Sequence, residues 1–268
     1  MIDVHCHLNF HSFEKDFDEV IKKALVDGVQ TIINTGTSIE SSKKAVELAE
    51  KYKDLYAIVG IHPHHADKVE RDWDKELLKI AKSSEKIVGI GEIGLDYYSY
   101  ESNRIVEPKL QKEAFIRQLE IADELGLPLQ IHNRQAGNDI LEIMNHQSRV
   151  INHGGMFHCM SGNIEFLEKV LELGFYVGFD GNITYEGIAK GEEMPLPELV
   201  KHTPIERIVT ETDAPFLTPQ PHRGSRNIPS YVIIVAETIA KIKGLDVSLV
   251  EHKTAENAKT LFKLDAKP

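Results

Sequence analysis

Six short runs of this chain place a histidine or a carboxylate directly after an apolar stretch, where side chains can grip a cation or move a proton. They are Asp3-Val4-His5-Cys6-His7, Gly60-Ile61-His62-Pro63-His64, Gly91-Glu92, Ile131-His132-Asn133-Arg134, Phe157-His158 and Thr210-Glu211-Thr212-Asp213. Side chains alternate along a strand with a period of two, so His5 and His7 turn to one side and Cys6 to the other. Two imidazoles on one face can clamp a divalent cation, although in isolation the pattern also fits two hydrogen-bonded core histidines. Glu92 follows a run buried on both faces, where a carboxylate needs cations, protons or a salt-bridge partner. Set between His5/His7 and His132/His158, it could bridge two metals roughly 3.5–4 Å apart. His132 and His158, one from each of two neighbouring strands, are the second imidazole pair. Mixed nitrogen and oxygen donors suit zinc, manganese, nickel or iron, and magnesium less well. Asp213 can both bind a metal and act as general base toward an activated water, which makes Asp213 and Glu92 the candidate catalytic residues. Glu211, two residues earlier, shares a face with Asp213 and is read either as orienting a ligand from behind or as a plain ion pair.

Positive charge lies close to these groups. Arg134 follows His132, and Arg223 sits in Pro221-His222-Arg223-Gly224. Arginine holds phosphate oxygens in a planar, bidentate way, so both are candidate substrate-binding residues, with loop stapling as the alternative. For Arg226 the structural role is favoured. His62 is a candidate contact to substrate or to the activated water, and a tyrosine near Glu92 could stack on a base or sugar.

The elements that must position these residues alternate in kind. Strands are expected at about Ile2–His5, Thr31–Asn34, Tyr56–Gly60, Ile87–Gly91, Pro128–Ile131, Gly155–His158, Phe175–Phe179 and Arg207–Thr210. Helical periodicity falls between them, at Glu14–Val26, Glu40–Lys51, Lys75–Lys82, Glu107–Leu125, Asp139–Asn145, Ile164–Leu173, Pro197–Lys201 and Ser230–Lys243. The tail Val247–Phe262 adds one or two more helices. Eight strand–helix pairs without a linker or composition break predict an α/β protein, a single (β/α)8 TIM barrel of residues 1–268 with an extra C-terminal helix. The runner-up is an open doubly wound sheet with a lid. In the barrel, catalytic groups belong at the C-terminal strand ends, where the six runs fall.

Composition narrows the setting. Thirty-one Lys and Arg stand against 42 Asp and Glu, a formal charge of −11, which is unsuited to tight nonspecific duplex binding. Two cysteines make no disulfide framework, and the first residues resemble a strand more than a leader, so a cytoplasmic location is expected. No apolar run approaches the roughly 20 residues of a membrane span, and no membrane partner is expected. The sequence leaves the oligomeric state open and is compatible with a monomer.

Taken together, the chain resembles the TatD family of metal-dependent hydrolases, the TatD-type deoxyribonucleases within the amidohydrolase-like barrels. The resemblance is carried in order by Asp3–Asn9, Gly60–His64, Gly91–Tyr97, Pro128–Arg134, Met156–Gly162, Glu211–Leu217 and Pro221–Gly224, with Glu256–Phe262 similar to the family's C-terminal helix. It implies two divalent metal ions, one held by His5, His7, Glu92 and Asp213 and the other by Glu92, His132 and His158. It further implies hydrolysis of phosphodiester bonds in DNA, often exonucleolytic. The alternative is an esterase or amidase with the same metal site, for example an aminoacyl-tRNA deacylase, and a barrel that binds without catalysis is the third reading. Val4, Asn138 and Asp180 depart from the family's pattern, and none of them is a ligand position.

Overall fold

The computed structural model describes residues 1–100 and 104–266. Eight strands lie side by side in chain order: β1 (Ile2–Cys6), β2 (Thr31–Thr35), β3 (Leu55–Val59), β4 (Ile87–Asp96), β5 (Leu129–Arg134), β6 (Gly155–His158), β7 (Tyr176–Phe179) and β8 (Ile208–Thr210). Every neighbouring pair is parallel. Between them run α1 (Phe17–Val26), α2 (Ile39–Lys51), α3 (Trp73–Ala81), α4 (Pro108–Leu125), α5 (Gly137–His146), α6 (Ser148–Ile151), α7 (Ile164–Glu172) and α8 (Leu196–His202). After β8 come α9 (Val232–Lys243) and α10 (Val247–Phe262). This is the TIM-barrel architecture expected from the alternation of short apolar runs and longer amphipathic ones, and the open-sheet runner-up is excluded.

The seam between the last strand and the first is closed by polar groups. Thr210 Oγ1 donates to the Ile2 carbonyl at 3.1 Å. Thr212 donates through its backbone N and its Oγ1 to the two carboxyl oxygens of Asp3, at 3.0 and 2.7 Å. Asp3 is fully buried, so its oxygens must be paired inside the protein, and pairing them across the seam draws β8 against β1. This brings Asp213 to the same end of the barrel as His5.

Two apolar layers hold the strands. The inner one contains Ile2, Val4, Ile33, Ile58, Val88, Met156 and Val209, and Leu261 and Phe262 of α10 seal it from below. The outer one joins strand residues such as Ile90, Ile93, Ile131 and Phe157 to the surrounding helices. The bottom is therefore packed with hydrocarbon, and the polar strand ends occupy the opposite mouth.

Two departures from regular alternation aim the polar groups. Ile90 and Ile93 of β4 both pack in the outer layer although they are three residues apart, and the ladder to β5 shifts register between them. This irregularity, of the kind that re-aims side chains near active sites, turns Glu92 into the barrel. β4 consequently runs on to Asp96, five residues beyond the expected end, and carries Glu92 within it. A second shift, between Asp3 and Cys6, lets His5 join Val4 on the inner side while Cys6 faces the helices.

Gly94 makes the extension of β4 possible. Its φ is +142°, and a Cβ there would lie 2.0 Å from the carbonyl oxygen of His132. Gly94→Ala is expected to cost at least ~2 kcal/mol, because positive-φ strain and a backbone clash act together. Equilibrium urea denaturation measures this, and an unchanged midpoint and slope would contradict it.

Candidate metal centre

Four imidazoles from three chain segments, His5 and His7 at the end of β1, His132 in β5 and His158 in β6, converge on Glu92 and Asp213 at the mouth. His5 Nε2 and His7 Nε2 are 3.0 Å apart. They lie 3.4 and 3.3 Å from Asp213 Oδ1, and each is 3.7 Å from Glu92 Oε2. The other carboxylate oxygen, Glu92 Oε1, faces the second pair, 2.8 Å from His132 Nδ1 and 3.7 Å from His158 Nε2. Glu92 thus offers one oxygen to each pair. The separations, 2.8–3.7 Å, scatter about the edges of a tetrahedron, roughly 3.3–3.6 Å, around an ion with bonds of about 2.0–2.2 Å.

What lies behind the imidazoles decides which nitrogen faces the centre. Gln130 Nε2 donates to the Val4 carbonyl at 2.8 Å, which leaves its Oε1 to accept from His5 Nδ1, also at 2.8 Å. His7 Nδ1 donates to the Thr35 carbonyl at 2.9 Å. His132 Nε2 meets Asp96 Oδ2 at 3.2 Å, and His158 Nδ1 faces Glu211 Oε2 at 3.1 Å, though off hydrogen-bond alignment. With one nitrogen occupied by an acceptor, each ring turns the lone pair of the other toward Glu92 or Asp213. Lone pairs and carboxylate oxygens pointed at one another in a buried pocket repel unless positive charge lies between them. The donor set therefore fits divalent cations, with the outer acceptors typical of metal-ligating histidines.

His62 has the opposite arrangement. Its Nε2 is 3.4 Å from Glu92 Oε1, within ligand reach. Its Nδ1, however, accepts the backbone N–H of His64 at 3.1 Å, so in the neutral ring the proton sits on Nε2. Burial pulls the ring down to about 4, outweighing the attraction of Glu92. His62 thus presents a neutral N–H donor to the cavity. His132 contrasts with it: burial pulls it down as well, but contacts to Asp96 and Glu92 outweigh this and push it up to about 10, so a cation bound beside Glu92 would take the place of the proton that the ring otherwise holds there.

Asp96 organises the rim. Its Oδ2 also faces His64 Nε2 at 3.0 Å and accepts from the Tyr100 hydroxyl at 3.0 Å. Asp96 falls in the run Gly91–Tyr97, and nothing in that run announces this junction. Gln130 was missed altogether; the one signal was a polar residue in the apolar run Leu129–Ile131. Burial raises Glu211 to about 8, and one of its oxygens accepts the Cys159 N–H. Asp180 is also buried and caps the turn after β7 through Asn182 N at 2.8 Å.

A cavity of about 680 Å³ opens above the cluster, lined by His62, Arg134, Cys159 and Phe216 among others. The arginines divide. Arg134 lies over the Tyr98 ring at 5.0 Å and pairs with Glu192 at 3.1 Å, and a second nitrogen donates to the Lys190 carbonyl. Arg223 is exposed, stacks 4.0 Å over Tyr185 and stands outside the cavity lining. Arg226 is committed to Asp16 through a two-pronged ion pair and has a structural part.

Similarity to known proteins extends over nearly the whole chain. The model of the family described as TatD related DNase matches residues 2–263. The uncharacterized metal-dependent hydrolase YabD of Bacillus subtilis is 39% identical over 99% of this chain and 100% of its own length. The 3'-5' ssDNA/RNA exonuclease TatD of Salmonella typhimurium is 33% identical over 98% of this chain and 99% of its own. The crystal structure of YJJV, a TatD homolog from Escherichia coli, superposes with a TM-score of 0.88 at 26% identity, covering 98% of both chains.

If Asp96 sets the His132 ring, Asp96→Asn keeps the shape, removes the charge and should weaken divalent-ion affinity about 10-fold or more. Calorimetric titration of metal-stripped protein with manganese or zinc reads this out. Affinity equal to wild type would contradict the assignment.

Proposed function

This chain belongs to the TatD-related DNase family and is a metal-dependent hydrolase, and from that premise we propose that it cleaves phosphodiester bonds of nucleic acid, DNA foremost, from a strand end. In this reading the whole chain works as one hydrolase domain in the cytoplasm, a setting consistent with the free thiols of Cys6 and Cys159. The observation that carries the proposal is the divided Glu92 carboxylate, one oxygen toward His5 and His7 and the other toward His132 and His158. A pair of divalent ions sharing a carboxylate is the arrangement that many phosphodiester-cleaving enzymes use. The name of the Salmonella relative, a 3'-5' ssDNA/RNA exonuclease, supports the substrate class.

His5, His7, Glu92 and Asp213 would hold one ion, and Glu92, His132 and His158 the other. Bound there, divalent ions supply Lewis acidity toward a phosphoryl oxygen and make water a stronger acid. The protein's own groups do the rest. Asp213 directs Oδ1 at His5 and His7 and has Oδ2 left to accept the proton of the attacking water. His62 donates its Nε2 proton to a non-bridging phosphate oxygen, and its neutrality lets it do so across the physiological pH range. Arg134, stacked on Tyr98 and braced by Glu192, steadies the charged oxygens at the cavity wall. Arg223 would reach a strand only beyond the cavity, where it could meet a more distant phosphate.

End-labelled single-stranded DNA with added Mg²⁺ or Mn²⁺ tests the reading, with carboxylic esters and an aminoacyl-tRNA as parallel arms. Wild type should release nucleotides, and Asp213→Asn should lower kcat by about 10²–10⁴-fold. His62→Gln should lower it by about 10²-fold with little change in metal content. Ester or acyl-tRNA hydrolysis without strand cleavage would instead favour the esterase alternative.

A further inference from the structure

Three residues past Asp213, the chain holds a phenylalanine in solvent. Phe216 is 51% exposed, and among the described Phe, Tyr and Trp residues it is the one exposed ring. Its position is tightly held. The Phe216 N–H donates to the Asp213 carbonyl at 2.8 Å, and its own carbonyl accepts from Asn227 Nδ2 at 2.6 Å. The buried Asn227 amide also donates to the Thr212 carbonyl at 2.7 Å, and its backbone N to the Pro215 carbonyl at 3.1 Å. A loop tied at four points keeps this ring out of the core, so its exposure is built into the fold.

The surroundings point to an occupant. Phe216 stands edge-on to Phe10 with 6.1 Å between centroids, and Phe10 lies flat on His7 at 4.5 Å. The Phe216 centroid is 6.4 Å from the His7 ring, beside the metal-binding cluster. Both phenylalanines line the central cavity, and both also line a shallower groove of about 450 Å³ floored by Ser38, Ser41 and Lys44. The two rings therefore form a ridge between the reaction cavity and a groove in which Lys44 pairs with Glu40 at 3.3 Å. A planar ring fixed at that crossing suits a base attached to a phosphate, because stacking takes any base and needs it unpaired.

We infer that Phe216, backed by Phe10, is a base-stacking platform that holds the nucleotide beside the scissile phosphate and selects unpaired strand ends, with the adjoining groove receiving the rest of the strand. This rests on the phosphodiesterase reading above and adds to it the residue that discriminates between substrates. A base within a duplex is already stacked and paired on its neighbours, so only a frayed or single-stranded end can lie on the ring. The hydrogen bond from Phe216 to Asp213 runs from backbone to backbone and is kept in Phe216→Ala, so the effect of losing the ring falls on recognition.

Two measurements test it. The first compares kcat/KM for a single strand with that for a strand of equal length carrying abasic residues at its cleaved end, in deoxyribose and ribose forms. Wild type should favour the intact strand by about 10–100-fold, and Phe216→Ala should abolish the preference while Phe216→Trp restores it. The second uses a cleavage-resistant phosphorothioate strand with a terminal 2-aminopurine, whose fluorescence falls on stacking. Quenching should appear with wild type and Phe216→Trp and be absent with Phe216→Ala. Undiminished preference and quenching in Phe216→Ala would overturn the platform. Quenching without cleavage of any strand would keep the platform and refute the phosphodiesterase reading, and cleavage without quenching in wild type would do the reverse.

Discussion

A carboxylate buried where two sets of imidazole lone pairs meet is unstable by itself. Glu92 and Asp213 bring negative charge into a pocket already edged by the acceptor nitrogens of His5, His7, His132 and His158. Burial of like-signed groups costs several kcal/mol each unless opposite charge is supplied, and divalent cations supply it. Much of the barrel can be understood as holding that arrangement against its own repulsion. The Asp3–Thr212 seam brings the last strand to the first, the irregularity in β4 points Glu92 inward, and α10 packs the far end with hydrocarbon. Side chains on the ends of rigid strands lose little further freedom when an ion arrives, which favours tight binding.

The groups behind the rings divide the histidines by task. An acceptor behind one nitrogen, whether Gln130, the Thr35 carbonyl, Asp96 or Glu211, leaves the other as a ligand. A donor behind it, as the His64 N–H is behind His62, makes the exposed nitrogen a proton donor. Five histidines of one chemical type are thereby sorted into four candidate ligands and one hydrogen-bond donor by their backs alone. The same cavity wall then adds an arginine already braced by a glutamate and an aromatic ring already exposed, so little has to be reorganised when a substrate enters.

The barrel and the cluster were legible because the relevant signals are local. Alternating periodicities identified the eight units, and polar residues after apolar runs marked the strand ends that parallel topology must gather at one mouth. What escaped was set by tertiary contact. The extension of β4 through Glu92 to Asp96 depends on a register shift against β5, which no periodicity in β4 announces. Gln130 reads in isolation as an odd polar residue in a strand, and it acquires meaning once Val4 and His5 flank it. The partner of Arg134 is Glu192, 58 positions away on an irregular segment, and no local pattern joins the two. Phe216 looked like part of a motif, and its exposure emerges from the Asn227 clamp.

Anomalous diffraction from crystals grown with manganese or zinc, recorded at the absorption edge of the metal, tests the central claim most directly. The account predicts two peaks on either side of the Glu92 carboxylate, roughly 3.5–4 Å apart, with His5, His7 and Asp213 around one and His132 and His158 around the other. A single peak bound to His62, or ions found only away from Glu92, would contradict it.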